Sequence, residues 1–202
     1  MDPKQLEADL HAFVSTAYPN IDVRVEPSTA DPKRPAVYFT DAQFAPLYQA
    51  QRYHCLRHLI PDDYYDRHLI ESEWFELAPG ECADDLEYPD AQLIADISPD
   101  VMRCVAGAKV FELLDNVLCP ADGSQPRQPC HGDFRHARAA LLARGFREAE
   151  LFDVLHVLMA RGGYCDCEIL YNAVEESRLK AEYWRARAEE REPYNPHTGP
   201  RT

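Results

Sequence analysis

The chain lacks a long apolar run and, between residues 61 and 100, almost all positive charge. No uninterrupted apolar stretch among its 202 residues approaches the ~18 residues that a membrane-spanning helix needs. Between residues 61 and 100 there are 13 acidic residues and a single basic one, Arg67. A surface of this kind repels phosphate backbones, which argues against general nucleic-acid binding. It favours a basic protein partner, or solubility alone.

Motifs of nucleotide and hydrolase chemistry are also missing. The sequence contains no phosphate-binding glycine loop, no Gly-x-Ser-x-Gly nucleophile turn and no dinucleotide fingerprint. Residues 1–5 open a charged amphipathic segment without the apolar core of a signal peptide. We therefore expect a cytoplasmic protein, in which the seven cysteines are reduced rather than paired as disulfides.

The pattern of apolar residues, prolines and glycines predicts an α+β protein. Up to residue 80 the expected order is helix, strand, strand, helix, helix, strand. A long helix that starts at Ser98-Pro99 is predicted over 99–118, with Cys104 on its buried stripe. Three further helices are predicted at about 133–144, 147–161 and 168–190. The C-terminal part is thus expected to be mainly helical.

The clearest linker lies at 120–129, where prolines and glycine interrupt the helical pattern. We therefore predict an α+β domain over 1–119, which includes an acidic extension and the long helix. A small helical domain that contains the cysteines is predicted over 130–192, and a flexible tail over 193–202.

Three cysteines stand near the starts of predicted C-terminal helices. Cys130 is followed at once by a histidine, and Cys165 and Cys167 flank one aspartate just after the Gly162-Gly163 turn. Thiols near helix starts lose their protons readily, and thiolates combined with an imidazole suit zinc. The predicted zinc ligands are Cys130, Cys165, Cys167 and either His131 or His136, with Cys119 as a substitute.

Other roles for the same cysteines stay open at this point. Free cysteine is among the residues most often buried, so the three can be core residues only. Cys165 and Cys167 can also form a redox pair, and a cysteine hydrolase would pair Cys130 or Cys165 with His156. Three further cysteines are interpreted as structural: Cys55, Cys82 and Cys104.

Histidines form a second group of candidate ligands. His54 and His58 lie four residues apart, so they share one face of a predicted helix, and His68, Asp62 and Asp63 are nearby in the sequence. The glutamate that follows the first histidine in the His-Glu-x-x-His metalloprotease motif is missing. The favoured interpretation is therefore that these are surface or half-buried histidines beside acids.

Residues 125–175 resemble a small bacterial domain family of unknown function. The resemblance rests on Cys130-His131-Gly132-Asp133 at a helix start and on the later segment Gly162-Gly163-Tyr164-Cys165-Asp166-Cys167-Glu168. It implies an architecture with a conspicuous set of cysteines, and it implies no particular activity.

The order of elements over residues 3–81 resembles that of BolA-like proteins, a small α+β fold related to KH domains. BolA proteins carry an Arg-His-Arg helix motif and a metal-binding histidine on the last strand. Here the helix reads Arg52-Tyr53-His54, and residues 69–80 contain no histidine. The resemblance thus implies a layer of three strands with helices, without the residues tied to the family's iron–sulfur role.

Together these features predict a two-part protein that binds other proteins and has no catalytic activity of its own. The acidic stretch at 61–100 is the predicted contact for a basic protein partner, and the cysteines are the predicted structural site, with zinc as the expected metal. Nucleic acids and membranes are not expected partners. The alternatives are a thiol redox protein, an iron–sulfur or metal-handling protein, and a cysteine-dependent hydrolase.

Overall fold

A computed structural model of the chain describes residues 2–121 and 127–193. The chain divides into two compact units, and the division falls between Tyr88 and Pro89. The first unit combines a sheet with helices, and the described part of the second is helical. The prediction of an α+β protein with a helical C-terminal part is therefore confirmed. Within the described ranges, none of the helices is long and apolar enough to cross a membrane.

The elements of the first unit follow the predicted order. They are α1 (Pro3–Val14), β1 (Asp22–Pro27), β2 (Pro35–Thr40), α2 (Gln49–Arg57), α3 (Asp62–His68) and β3 (Glu73–Leu77). Strand β2 lies in the middle of the sheet, antiparallel to β1 and parallel to β3. Proline suits the first position of α1, because the N–H that it lacks would have no partner within the helix.

The core of the first unit lies between α1 and the sheet. Leu6, Leu10 and Val14 recur at helical spacing and are buried, and they join inward-facing strand residues such as Val37 and Phe39 in one apolar cluster. Complete burial of a side chain of this size contributes roughly 1.5 to 3 kcal/mol to folding. The helical and strand periodicities of the sequence are therefore sufficient to explain this packing.

The second unit packs helices on one another. They are α4 (Ala91–Gly107), α5 (Val110–Leu118), α6 (Arg135–Ala143), α7 (Glu148–Ala160), α8 (Asp166–Glu168) and α9 (Arg178–Ala188). Helix α8 continues into a π-helical turn, Ile169–Ala173. Helix α7 is buried on more than one side, since Val154, Leu155, Val157 and Leu158 are all inaccessible. It is thus the central helix of this unit.

The predicted helix over 99–118 is wrong at its start and in its continuity. Helix α4 already begins at Ala91, because the carboxylate of Asp90 accepts hydrogen bonds from two N–H groups of the first turn. Pro99 therefore lies inside α4 instead of starting it. Lys109 then adopts a left-handed backbone conformation with φ of 57°, which separates α4 from α5.

The three cysteines interpreted as structural are accessible to different degrees. Cys104 is exposed, because the buried side of α4 passes through Ile94 and Val105, so its predicted place on a buried stripe is wrong. Cys82 is exposed as well, and Cys55 is half-buried. Cys82 and Cys104 can consequently serve as accessible controls when the reactivity of buried thiols is measured.

The predicted helix over 168–190 is interrupted. Val174 is extended, with φ of −116° and ψ of 153°, and α9 begins only at Arg178. The hydroxyl of Ser177 caps α9, and the buried carboxylate of Asp115 accepts hydrogen bonds from the first two N–H groups of that helix. A tertiary contact with α5 thus determines where α9 starts, which no local pattern indicates.

The division into units differs from the predicted domain boundary. Helices α4 and α5 belong with the later helices, because α4 packs on α7 and α5 packs on α6. The predicted boundary places both helices before a linker at 120–129. Residues 122–126 of that linker and 194–202 of the expected tail lie outside the described residues, so the linker and the tail stay predictions.

Candidate metal centre

Cys130, Cys165 and Cys167 meet in the interior of the second unit. Their Sγ atoms all lie within 4.8 Å of one another, and the Sγ atoms of Cys165 and Cys167 are 3.4 Å apart. The three residues are only 5%, 4% and 1% exposed. Cys130 precedes α6, whereas the other two lie between α7 and the π-helical turn. The fold therefore brings together thiols from two separate segments.

Asp166, the residue between two of these cysteines, joins the two segments. Its buried carboxylate accepts hydrogen bonds from the N–H groups of His136 and Ala137 at 3.0 and 2.8 Å, and its own N–H donates to the carbonyl oxygen of Asp133 at 3.0 Å. Burial raises the pKa of the Asp166 carboxyl to about 7, although the two N–H donors oppose that rise. Asp166 thus caps α6 from a distant part of the chain.

The residues on either side of the cysteine pair shape its turn. A Cβ atom on Gly163 would lie 3.0 Å from the Cα of Ile169, so only glycine fits without a shift of the backbone. Gly162 has φ of +84°, and the amide of Asn172 donates to its carbonyl oxygen at 2.8 Å. The carboxylate of Glu168 accepts the N–H four residues earlier, at 3.0 Å. These contacts position the two thiols.

Hydrogen bonds within the cluster favour a thiolate at Cys130. The thiols of Cys165 and Cys167 donate to its sulfur, and backbone N–H groups add to them, so the pKa of Cys130 is lowered far below its usual value despite burial. The same contacts, together with burial, raise the pKa of Cys165 and of Cys167. A metal ion that bound all three sulfurs would replace the two thiol protons.

The two histidines predicted as ligands lie beside the sulfur group and not within it. His131 is exposed. The Nε2 atom of His136 is 3.3 Å from the carbonyl oxygen of Pro129, and the two imidazole rings are 6.1 Å apart between centroids. Among the described residues, the group whose ligand atoms converge consists of the three sulfurs. A histidine ligand therefore stays a prediction.

Cys119 and His156 make contacts elsewhere in the second unit. The thiol of Cys119 donates to the carboxylate of Glu182 at 3.3 Å, and burial raises its pKa to about 11. The Nδ1 atom of His156 lies 2.7 Å from the carbonyl oxygen of Phe152 in its own helix. Cys119 is thus not part of the centre, and this nitrogen of His156 is engaged by the backbone instead of by a cysteine.

The first unit contains a buried polar group that the sequence did not indicate. Glu76 on β3 is 2% exposed, and Gln49 on α2 donates to its Oε2 atom. Arg52 donates to the backbone carbonyl oxygen of Glu76 at 2.8 Å and forms an ion pair with Glu81 at 2.5 Å. The Oε1 atoms of Glu76 and Gln49 have no hydrogen-bond partner. Burial raises the pKa of Glu76 to about 7, which Arg52 opposes.

The fold and the centre define a small helical domain that holds three cysteines together. Residues 117–172 match the model of a family described as "protein of unknown function (DUF2695)", so this part of the chain is similar to a domain family of unknown function. The matched segment includes Cys130, Cys165 and Cys167, together with the turn between α7 and α8. No curated protein and no solved structure matches the chain.

Proposed function

We propose that the second unit is a structural metal domain in which Cys130, Cys165 and Cys167 bind one zinc ion. The observation that carries the proposal is the convergence of three buried sulfurs within 4.8 Å. Thiolates are ligands that soft and borderline metals such as zinc select. Bound there, the ion would tie the segment before α6 to the turn after α7, which Asp166 already joins by hydrogen bonds.

Zinc in structural sites takes four ligands, so one position remains for a further donor. We assign it to His131. This residue follows Cys130 directly, and its side chain is exposed, so it can approach the sulfurs without a change in the core. His136 is the second candidate, because its ring would first lose the contact of its Nε2 with the carbonyl oxygen of Pro129.

Protein purified without chelators is expected to contain about one zinc ion per chain, bound through the three sulfurs. Elemental analysis by mass spectrometry measures this. His131→Gln should lower the zinc content after dialysis against a weak chelator, because one of the four ligands is lost, while Cys104→Ser, a change at an exposed thiol, should leave it unchanged.

Alkylation separates the metal domain from the two alternative roles of the cysteines. If zinc is bound, iodoacetamide should modify Cys82 and Cys104 quickly and reach the central thiols only after chelation. Fast modification of Cys165 or Cys167 in untreated protein would instead support a redox pair. Slow modification that a chelator leaves unchanged, in protein without metal, would mean that these cysteines are core residues only.

The two family resemblances of the sequence are also proposals. The Gly-Gly-x-Cys-Asp-Cys-Glu segment is proposed as the signature of the matched domain family, because its glycines, its cysteines, Asp166 and Glu168 all help to build the centre. The first unit is proposed to be BolA/KH-like. Its order of elements supports this, since it is the order on which the resemblance rests.

The first unit is proposed to bind a basic protein partner in the cytoplasm, and the whole protein is proposed to be non-catalytic. Asp66, Glu71, Asp84 and Glu87 are exposed and supply the charge for such a contact. The proposed surface is narrower than the acidic stretch at 61–100, because Glu76 is buried and the residues after Tyr88 belong to the second unit. Charge of this kind mainly raises the rate of association.

Reversal of two of these charges, Asp84→Lys with Glu87→Lys, is expected to abolish the capture of a basic partner at low salt. Physiological salt already limits such attraction to about 8 Å, so the wild-type capture should weaken as salt rises. Affinity capture followed by mass spectrometry compares the recovered proteins. A matched reversal in the second unit, Glu175→Lys with Glu176→Lys, changes the net charge equally and should have no effect. If the variant at Asp84 and Glu87 captures the same proteins as the control variant and the wild type, these acidic residues serve solubility only.

A further inference from the structure

His54 and His58 face each other on the last turn of α2. Their Nε2 atoms are 3.1 Å apart, and the two rings stand at 90° with 4.2 Å between centroids. Residues four apart share one face of a helix, but that spacing alone does not determine which ring atoms meet. Here the Nε2 atom is the ring nitrogen of each imidazole that approaches the other. A hydrogen bond between them requires one Nε2 to carry the hydrogen and the other to accept it.

The distance between the two nitrogens matches that of adjacent ligands on one metal ion. With metal–nitrogen bonds of about 2.0 to 2.1 Å, a separation of 3.1 Å corresponds to a ligand–metal–ligand angle of about 95 to 102°. Square-planar and octahedral sites place neighbouring ligands at about 90°. With the same bond lengths a tetrahedral ion would hold the nitrogens about 3.3 to 3.4 Å apart, so the observed separation lies between the two arrangements.

The charges around the pair favour a cation. His58 is the C-cap residue of α2, and the carbonyl groups at a helix C-terminus give it a partial negative charge. The neighbouring cation Arg57 is already paired, since it donates to Asp62 at 2.7 Å and its guanidinium lies 4.1 Å from the ring centroid of Tyr65. Residues 1–88 also carry 17 acids and 7 bases.

We propose that His54 and His58 form a chelating site for a divalent transition metal that imidazole binds, such as copper(II) or nickel(II). Both Nε2 lone pairs would bind the ion, and the ring that carries its hydrogen on Nε2 would carry it on Nδ1 instead. Water can complete the coordination. The site is independent of the three-cysteine centre and lies in the other unit. It is a binding site without a catalytic base, because the His-Glu-x-x-His glutamate is replaced by Cys55.

Retention of the full-length protein on an immobilised nickel chelate tests this proposal. The tethered ion can reach the surface pair, whereas the three cysteines of the metal centre are at most 5% exposed. His58→Gln, a change at an exposed residue, should lower the affinity for nickel about tenfold or more, which corresponds to about 1.4 kcal/mol. Because both rings hold one ion, His54→Gln and the double variant should each weaken binding about as much.

The control is His68→Gln on α3, which removes a histidine but leaves the pair intact and should be retained like the wild type. Nickel should also raise the melting temperature of the wild type and of this control, but not of His58→Gln, because the pair is assembled only in the folded helix. Unchanged retention of His58→Gln would overturn the proposal. So would effects of the two single variants that simply add, or a loss in His68→Gln of the same size.

Discussion

Serine in place of Cys167 is expected to release the metal and to lower the free energy of unfolding of the second unit by more than about 3 kcal/mol. The residue is 1% exposed, and its sulfur lies against two others. A hydroxyl is a poor ligand for zinc, and the folding of a structural metal domain is linked to metal binding. Hydrogen exchange measured by mass spectrometry should show faster exchange over α6, α7 and the π-helical turn.

Two comparisons decide what such a loss would mean. Cys104→Ser replaces an exposed cysteine of the same unit and should change stability by no more than about 0.5 kcal/mol. Removal of metal from the wild type with a chelator should reproduce the exchange pattern of Cys167→Ser. If the variant is destabilised while the chelator has no effect on the wild type, the cysteines stabilise the core by packing and the metal proposal fails.

Glutamine in place of Glu76 is expected to stabilise the first unit at pH 8 by up to about 3 kcal/mol. The carboxylate of Glu76 is buried, and its Oε1 atom and that of Gln49 lack donors. A proton on Glu76 would supply the missing donor and close a pair of hydrogen bonds between acid and amide. The amide of a glutamine supplies a donor of the same kind at every pH, with nearly the same volume.

The direction of the pH dependence follows from the raised pKa of Glu76. Folding raises this pKa from 4.5 to about 7, so the folded state holds a proton that the unfolded state has lost between these values. The stability of the wild type should therefore fall as pH rises from about 4.5 to about 7 and then level off. The charged group that faces Glu76 is Arg52, which lowers its pKa. The phenols of Tyr53 and Tyr88 stay neutral over this range, since burial, and to a smaller extent Glu76, raises their pKa values.

Urea unfolding between pH 4.5 and pH 8 measures this effect. In a Trp184→Phe background, Trp74 on β3 is the remaining tryptophan and reports on the first unit. The difference in stability between Glu76→Gln and the wild type should grow over the stated window. Glu73→Gln, on the same strand, is the matched control and should show no such growth. A difference that is independent of pH would show that Glu76 is ionised in the folded protein throughout.

Much of this protein could be predicted from local patterns. The helix and strands of the first unit follow the periodicity of their apolar residues, and α7 ends at the Gly162-Gly163 turn. Cys130, Cys165 and Cys167 could also be singled out, because their residue type and their places at helix starts favour thiolates. These features depend on neighbours in the sequence or on residue type, which a single sequence records.

Contacts between distant residues decided the rest. Asp166 caps α6, and Asp115 caps α9 and thereby interrupts a helix that the sequence pattern would continue. Glu76 is buried because its strand lies against α2, although its charge predicts exposure. The sequence by itself therefore determined the α+β class and the three thiols of the centre. The tertiary structure decided which carboxylates are buried, where helices begin and which nitrogens of His54 and His58 meet, because each depends on groups that folding alone brings together.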